Sequence, residues 1–149
     1  MNSHRRSLLG MLAALPVLAP LAAHAATRVQ VYKSPTCGCC GAWVDHLRAA
    51  GFTVDVTETD DTRSVVKKLG MPDHLAGCHS AVVDGYVLEG HVPAADVKRL
   101  LASKPQAIGL AVPGMPVGSP GMEQGGQKQA YQVVLVDRRG GESVFASYR

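Results

Sequence analysis

The sequence predicts a single α/β domain, and two hydrophobic patterns support that class. Segments in which apolar and polar residues alternate, such as RVQVYKS at 28–34, are typical of strands. Segments with apolar residues three or four positions apart, such as CCGAWVDHLRAAG at 39–51, are typical of helices. The two kinds of segment follow each other along the chain, as in α/β proteins. A length of 149 residues fits one such domain.

The predicted elements of the core follow the order β-α-β-α-β-β-α. Gly51 and Gly70 end the first two helices, Asp84 and Gly85 form a hairpin turn, and Pro93 begins the third helix. Because a cysteine turn joins the first strand to the first helix, we expect this core to be thioredoxin-like. The segments are a strand at 28–34, a helix at 39–51, a strand at 52–59, a helix at 60–70, a hairpin at 80–90 and a helix at 93–105.

A stretch rich in Gly, Pro and Met separates this core from the C-terminus. We expect a long loop over 104–130, and a loop of that length in a compact domain is either functional or disordered. The alternating segments YQVVLVD and ESVFASY flank RRGG, which predicts a β-hairpin within 131–149. Loop and hairpin belong, with the core, to one predicted domain over 26–149.

The first 25 residues are predicted to be a signal peptide. Arg5 and Arg6 form a basic start, an apolar run extends over 8–23, and AHA at 23–25 fits a cleavage site. The paired arginines also fit the twin-arginine export route. A retained membrane anchor is the alternative, which two prolines inside the run disfavour. We expect a periplasmic mature chain that has no further membrane-spanning run.

The charge of the mature chain does not indicate a nucleic-acid partner. Residues 1–25 hold two of the 15 basic residues and none of the 12 acidic residues, so the exported chain would carry a net charge of +1. Its basic residues form no cluster longer than a pair, and its aromatic residues are spread singly. We expect neither nucleic acid nor, after signal cleavage, a membrane as partner.

Three of the four cysteines lie within four positions, between the first strand and the first helix. Cys37 and Cys40 form a Cys-x-x-Cys pair at a helix N-terminus, where the helix dipole stabilises a thiolate. Cys39 is a third thiol that a redox dithiol does not need. Cys78 stands just before the third strand, where thioredoxins carry a proline. In a thioredoxin-like topology that loop lies over the start of the first helix, so we expect all four thiols to converge.

Four converging thiolates form a soft ligand set, which favours Cu(I), Zn(II) or an iron–sulfur cluster. Zinc is usually held by paired Cys-x-x-Cys knuckles, whereas a crowded Cys-x-Cys-Cys run suits thiolates that bridge several Cu(I) ions. We therefore predict more than one Cu(I) ion per chain, weaker binding of zinc, and the metal ligands Cys37, Cys39, Cys40 and Cys78.

Further candidate ligands lie outside the cysteines. Met115 and Met122, in the predicted loop, offer soft thioethers that resist oxidation, although packing over the core is the alternative. His79 adjoins Cys78, but strand alternation would point its side chain to the opposite side, which favours a supporting or solvent-exposed position. The other histidines of the mature chain are predicted at an exposed helix position, His46, and at turn positions, His74 and His91.

Two other functions stay open on this reasoning. The chain could be a thiol-disulfide oxidoreductase with Cys37 as nucleophile and Cys40 as resolving thiol. It could also be an interaction module stapled by two disulfides. A bridge between the adjacent Cys39 and Cys40 would be strained, and either other pairing would pass both bridges through one turn, which disfavours the module.

Three motifs together resemble a known family: YKSPTCGCCGAWVDHL, MPDHLAGCHSAVVDGYVLEGHVPA and AVPGMPVGSPGM. The sequence is similar in them to the exported copper-resistance proteins called CopG-like, grouped as a domain of unknown function. The resemblance covers most of 28–122 and says least about the residues after 130. It implies a thioredoxin-like fold in which the four cysteines hold a thiolate-bridged copper cluster.

The same resemblance bears on biology and partners. It implies a part in periplasmic copper tolerance, with a role in controlling the oxidation state of copper, and it brings no established turnover reaction. Copper ions are the expected partner, together with other periplasmic copper-handling proteins. A metal-binding protein is therefore a better expectation than an enzyme.

Overall fold

The computed structural model describes residues 26–149, so the predicted signal peptide at 1–25 lies outside the described residues. Within that range no helix is long and apolar enough to cross a membrane. The helices are α1 Gly38–Ala49, α2 Thr62–Lys68 and α3 Ala94–Ser103, with a 3-10 turn at Asp73–Leu75. The strands are β1 Arg28–Lys33, β2 Thr53–Glu58, β3 His79–Val83, β4 Tyr86–Gly90, β5 Ala107–Val112, β6 Tyr131–Asp137 and β7 Glu142–Tyr148.

The described strands form one mixed sheet in the order β2-β1-β3-β4-β5-β6-β7. Strand β1 pairs parallel with β2 and antiparallel with β3, and β4 pairs antiparallel with β3 and parallel with β5. Strands β6 and β7 form the antiparallel hairpin expected at the C-terminus. The predicted α/β class is confirmed, while the finer thioredoxin-like description stays a prediction.

The structure differs from the sequence prediction in the expected loop over 104–130. Strand β5 occupies Ala107–Val112, so the irregular stretch begins only at residue 113. A strand buried on both faces lacks the alternation that marks half-buried strands. Gly109 reinforced the loop prediction, yet it is needed in the strand because a Cβ there would lie 1.7 Å from the carbonyl oxygen of Val87 in β4.

Helices cover both faces of the sheet. On one face, Trp43 and Leu47 of α1 and Leu100 of α3 pack with Val31 and Leu88 of the strands. This face carries the larger cluster, which fixes α1 and α3 on the sheet. The opposite face carries a smaller cluster around α2, formed by Val66, Met71, Leu75, Val87, Ala111 and Val136.

Strand pairing brings three chain segments together at one end of the sheet. Lys33, the last residue of β1, pairs with His79, the first residue of β3. Ser80 in β3 pairs with Glu89 near the end of β4. The cysteine turn after β1, the loop that carries Cys78 and the segment that follows β4 therefore meet at this end.

Candidate metal centre

The four cysteines converge as the sequence predicts. The sulfur atoms of Cys37, Cys39, Cys40 and Cys78 all lie within 4.8 Å of one another. The Sγ atom of Cys39 is 3.5 Å from that of Cys37 and 3.9 Å from that of Cys78. Such a group could hold a metal ion, whereas the role of each cysteine as a ligand stays a prediction.

The start of α1 positions three of these sulfurs. Cys37 is the N-cap residue in an extended conformation, and Cys39 and Cys40 lie in the first turn. That turn contains no acidic residue, so no side-chain charge there offsets the positive end of the helix dipole. Cys40 is buried, while Cys37 and Cys39 are half-buried. The helix start therefore presents its positive end to sulfur atoms that solvent still reaches.

One disulfide joins two of the four cysteines. Cys37 and Cys40 are bonded to each other, whereas Cys39 and Cys78 are free. The interaction module with two disulfides therefore does not match the structure. The observed pairing is the one that a Cys-x-x-Cys oxidoreductase would use, and its reduction would add two thiols to the two that are free.

The surroundings of Cys78 favour its protonated thiol. Burial and the neighbouring Cys39 raise its pKa to about 12. A soft cation would replace the proton, since metals bind the thiolate form of cysteine. Metal binding at this group therefore releases a proton.

His79 corrects one sequence expectation. The ring is buried, and its Nδ1 atom lies 3.3 Å from the Sγ atom of Cys78 rather than on the opposite side. Alternation does not apply because Cys78 precedes β3. The ring packs on Trp43, with the ring centroids 4.3 Å apart. Burial, with a further contribution from His91, lowers the pKa of His79 to about 3, so the imidazole is neutral.

The second nitrogen of His79 is unusual. Its Nε2 atom is buried and has no hydrogen-bond partner among the described residues. Buried polar atoms are nearly always paired, because an unpaired one costs free energy. Burial lowers the pKa of His79 and the backbone of Gly90 offsets this slightly, but no hydrogen bond of good geometry reaches Nε2, and the nitrogen that faces Cys78 is Nδ1.

The sequence prediction missed His91, which also lies against Cys78. Its Nδ1 atom donates a hydrogen bond to the carbonyl oxygen of Pro120 at 2.8 Å, so its Nε2 atom, 3.3 Å from the Sγ atom of Cys78, carries a lone pair. Burial lowers the pKa of His91, which keeps the ring neutral. When the pairing of Ser80 with Glu89 is extended by two residues, position 91 lies opposite position 78. This register of the β3–β4 hairpin was the signal from which the contact of His91 with Cys78 could have been predicted.

Glu89 anchors the loop that carries Cys78 through two hydrogen bonds. This fully buried carboxylate accepts hydrogen bonds from the backbone N–H of Gly77 at 2.7 Å and from the hydroxyl of Ser80 at 2.6 Å. These donors stand on either side of Cys78, so Glu89 fixes the direction of that loop. Burial raises the pKa of Glu89 to about 7. Nothing in the local sequence pattern marked this residue.

The loop after β5 covers the cysteine turn and brings both methionines to it. Gly121, at a φ of 85°, packs directly on α1, because a Cβ there would lie 2.8 Å from the carbonyl oxygen of Cys39. Met115 and Met122 line an open cleft of about 450 Å³ together with Cys39. Met115 is exposed and Met122 half-buried, so core packing does not account for Met115.

The remaining two histidines lie outside the cysteine group. His46 is half-buried rather than exposed, because its Nε2 atom accepts a hydrogen bond from the backbone N–H of Ala94 at the start of α3. Since α1 and α3 cover the same sheet face, this side of α1 is not open to solvent. His74 is exposed, with its Nε2 atom 2.6 Å from a carboxylate oxygen of Glu142.

Known proteins are similar to this chain in fold and in sequence. A family model described as a protein of unknown function, DUF411, matches residues 75–122. Two solved structures of the copper resistance protein CopG, form 2 and form 1, are each 46% identical to the chain, with TM-scores of 0.81 and 0.79. They cover 84% and 83% of this chain, and the matches span 100% and 98% of those structures. No curated protein sequence matches the chain.

Proposed function

Since the chain belongs to the family of the copper resistance protein CopG, we propose that it is a periplasmic protein that holds Cu(I) in a cysteine-thiolate cluster. One observation carries the proposal: four cysteine sulfurs from two separate loops lie within 4.8 Å of one another. Thiolates are soft ligands that select soft cations, and Cu(I) is the soft cation that fits a copper resistance protein.

The donor set fits several copper ions better than one. Cys37, Cys39, Cys40 and Cys78 supply up to four thiolates, each of which can bridge two soft ions. The start of α1 adds a positive dipole end that stabilises these anions. The neutral rings of His79 and His91 supply two further donors beside Cys78. We propose Met115 and Met122 only as assisting ligands.

Complete loading requires reduction of the Cys37–Cys40 disulfide. The bridge withholds two of the four sulfurs, and two electrons with two protons return them as thiols. Copper binding by this chain therefore depends on redox conditions, and redox activity between Cu(II) and Cu(I) belongs to the same proposal.

The periplasm is the proposed location, on the basis of the sequence of residues 1–25. Copper-handling proteins of that compartment are the proposed partners. Mass spectrometry of periplasmic protein should find a chain that begins at Ala26 or within a few residues of it. Intact chain with Met1 in the membrane fraction would contradict this location.

A thiol-disulfide oxidoreductase is the second candidate, and the Cys37–Cys40 disulfide favours it. The position of Cys39 disfavours it, because a third thiol 3.5 Å from the Sγ atom of Cys37 would capture mixed disulfides. Copper binding requires Cys39 and dithiol exchange does not. This residue therefore separates the two functions.

The test is an anaerobic Cu(I) titration of the reduced protein, with zinc as competitor. We expect more than one Cu(I) ion per chain and weaker zinc binding. Cys39→Ser should lower the number of bound copper ions and cellular copper tolerance, whereas Ala49→Ser, an exposed change at the far end of α1, should alter neither. Two results together would contradict the copper function and favour the oxidoreductase. Cys39→Ser would load copper fully, and the protein would show a disulfide reductase activity that Cys37→Ser abolishes.

A further inference from the structure

The cleft beside the cysteine turn contains three soft side chains at different depths. Met115, Met122 and Cys39 line it, together with the backbone of Gly38 and Gly121. Met115 is 42% exposed, Met122 is half-buried and Cys39 belongs to the cysteine group. Residues with soft sulfur atoms therefore line the cleft from its solvent-exposed side to the cysteine group.

Met115 has two features that packing does not explain. It is one of three large apolar residues exposed in the described part of the chain. Its backbone also has a positive φ of 47°, a region that residues other than glycine rarely occupy. An exposed side chain held in an unfavourable backbone conformation indicates a functional constraint.

The charge of the cleft favours a cation. Glu123 is the charged residue that lines it, and its carboxylate accepts a hydrogen bond from the backbone N–H of Gly121 at 2.8 Å. A fixed negative charge at an open cleft raises the local concentration of cations. Thioethers are neutral ligands, so their affinity for Cu(I) does not depend on losing a proton.

We propose that Met115 and Met122 form a receiving site, which captures Cu(I) at the surface and passes it to Cys39. This inference rests on the proposed function and adds to it the route of loading. Thioether ligands deliver copper to the cluster and are not needed to retain it there, because a thiolate is an anionic ligand and a thioether is not.

The transfer is a ligand exchange without electron transfer. A Cu(I)–thioether bond breaks as a Cu(I)–thiolate bond to Cys39 forms, and the thiol proton of Cys39 passes to water. Copper stays Cu(I), and both methionines return to their free state. The receiving site should therefore affect the rate of loading and leave the final copper content unchanged.

The experiment measures loading rate and final content separately. Protein purified from cells that express the full chain is reduced and mixed anaerobically with the Cu(I)–neocuproine complex, a coloured cation, and loss of the complex is followed by stopped-flow absorbance. Leucine is close to methionine in volume and has no sulfur, so the Met115→Leu/Met122→Leu double variant removes only the ligands. Met71→Leu is the matched control, because Met71 is buried against the opposite sheet face.

We expect loading of the double variant to be about tenfold slower, which corresponds to an activation free energy about 1.4 kcal/mol higher. Its final copper content should be unchanged. Met71→Leu should load at the wild-type rate. Glu123→Gln should slow loading less, and added salt should abolish its effect.

Equal rates for the double variant and the wild type would overturn the receiving site. A lower final copper content in the double variant would also overturn it, since the methionines would then be cluster ligands. Failure of the wild type itself to bind Cu(I) would instead remove the proposed function, and the receiving site with it.

Discussion

The candidate metal centre has an inner half that hydrogen bonds hold in place and an outer half that faces solvent. The inner half consists of Cys78, His79 and His91, in which both rings are buried and both approach the same sulfur at 3.3 Å. Glu89 and the carbonyl oxygen of Pro120 hold it through hydrogen bonds. The inner half is therefore preorganised before a metal binds.

The outer half consists of Cys39, Met115 and Met122 around an open cleft. None of these side chains has a polar partner comparable to Glu89, and Met115 reaches solvent. Both halves offer soft sulfur. Hydrogen bonds restrain the inner half and α1 positions Cys39, whereas no comparable contact restrains the two methionines among the described residues. The difference teaches that ligand type decides which ion binds, while restraint decides whether a residue holds that ion or exchanges it.

The largest expected effect follows from removing Cys78, the sulfur of the inner half that lies against the outer half. Cys78→Ser should abolish more than half of the Cu(I) bound per chain, because its sulfur lies beside Cys39 and beside both rings of the inner half. Anaerobic copper analysis after gel filtration measures the number of Cu(I) ions bound per chain. Ala76→Ser, an exposed change in the same loop, is the control, and equal copper content in the two variants would contradict this role of Cys78.

A smaller effect is expected when the restraint is removed and every ligand stays. Glu89→Gln cannot accept both hydrogen bonds through oxygen, so the Cys78 loop loses one of its two anchors. Copper content at saturation should be unchanged, and affinity should fall roughly 10–100-fold. Competition with a Cu(I) chelator measures the affinity, with Glu142→Gln as the control. An unchanged affinity would show that the inner half does not depend on this carboxylate.

The raised pKa of Glu89 predicts a pH dependence of stability. Because its folded pKa is about 7, above the ordinary value of 4.5, the folded metal-free protein binds an extra proton between these values. Its contribution to stability is therefore complete below pH 4.5 and is lost as pH rises through about 7.

The lowered pKa values of His79 and His91 act in the opposite direction. Their contribution is common to wild type and Glu89→Gln, so the difference between the two proteins isolates Glu89. Thermal unfolding should show that the stability of wild type, relative to Glu89→Gln, falls between pH 4.5 and about 7 and levels off above. A difference that is constant or rises over this range would mean that Glu89 is ionised in the folded protein.

The smallest effect on copper is expected far from the centre, where the C-terminal hairpin joins α3. The hydroxyl of Tyr148 donates a hydrogen bond to the buried carboxylate of Asp96 at 2.6 Å. Tyr148→Phe should lower the free energy of unfolding by roughly 1–3 kcal/mol, because that carboxylate loses a partner. Urea unfolding and copper titration together test it. A change in copper content would show that the hairpin contributes to the centre.

The spacing of residues along the sequence predicted the features that depend on neighbouring residues. Period-two and period-3.6 segments identified most of the elements, and Cys37, Cys39 and Cys40 stood out because they are adjacent in sequence. The convergence with Cys78 was predictable because, in a thioredoxin-like topology, the loop before the third strand lies over the start of α1. Strand β5 was not predictable in this way, since a strand buried on both faces carries no alternation.

The missed residues depend on contacts between distant segments. His91 reaches Cys78 only through the register of β3 with β4, and its tautomer depends on Pro120 in another loop. His79 was placed wrongly because strand alternation was extended to Cys78, which lies before the strand. Glu89 resembles any strand residue until burial gives it two hydrogen bonds.

X-ray absorption at the copper edge of the reduced, copper-loaded protein tests the thiolate cluster most directly. If the cysteine sulfurs bridge several Cu(I) ions, the spectrum should show Cu(I), sulfur as the main neighbouring scatterer, and a copper–copper distance in the scattering pattern. Cys39→Ser should weaken the copper–copper contribution. A spectrum with only nitrogen and oxygen neighbours, or with sulfur neighbours and no copper–copper contribution, would contradict a thiolate-bridged cluster.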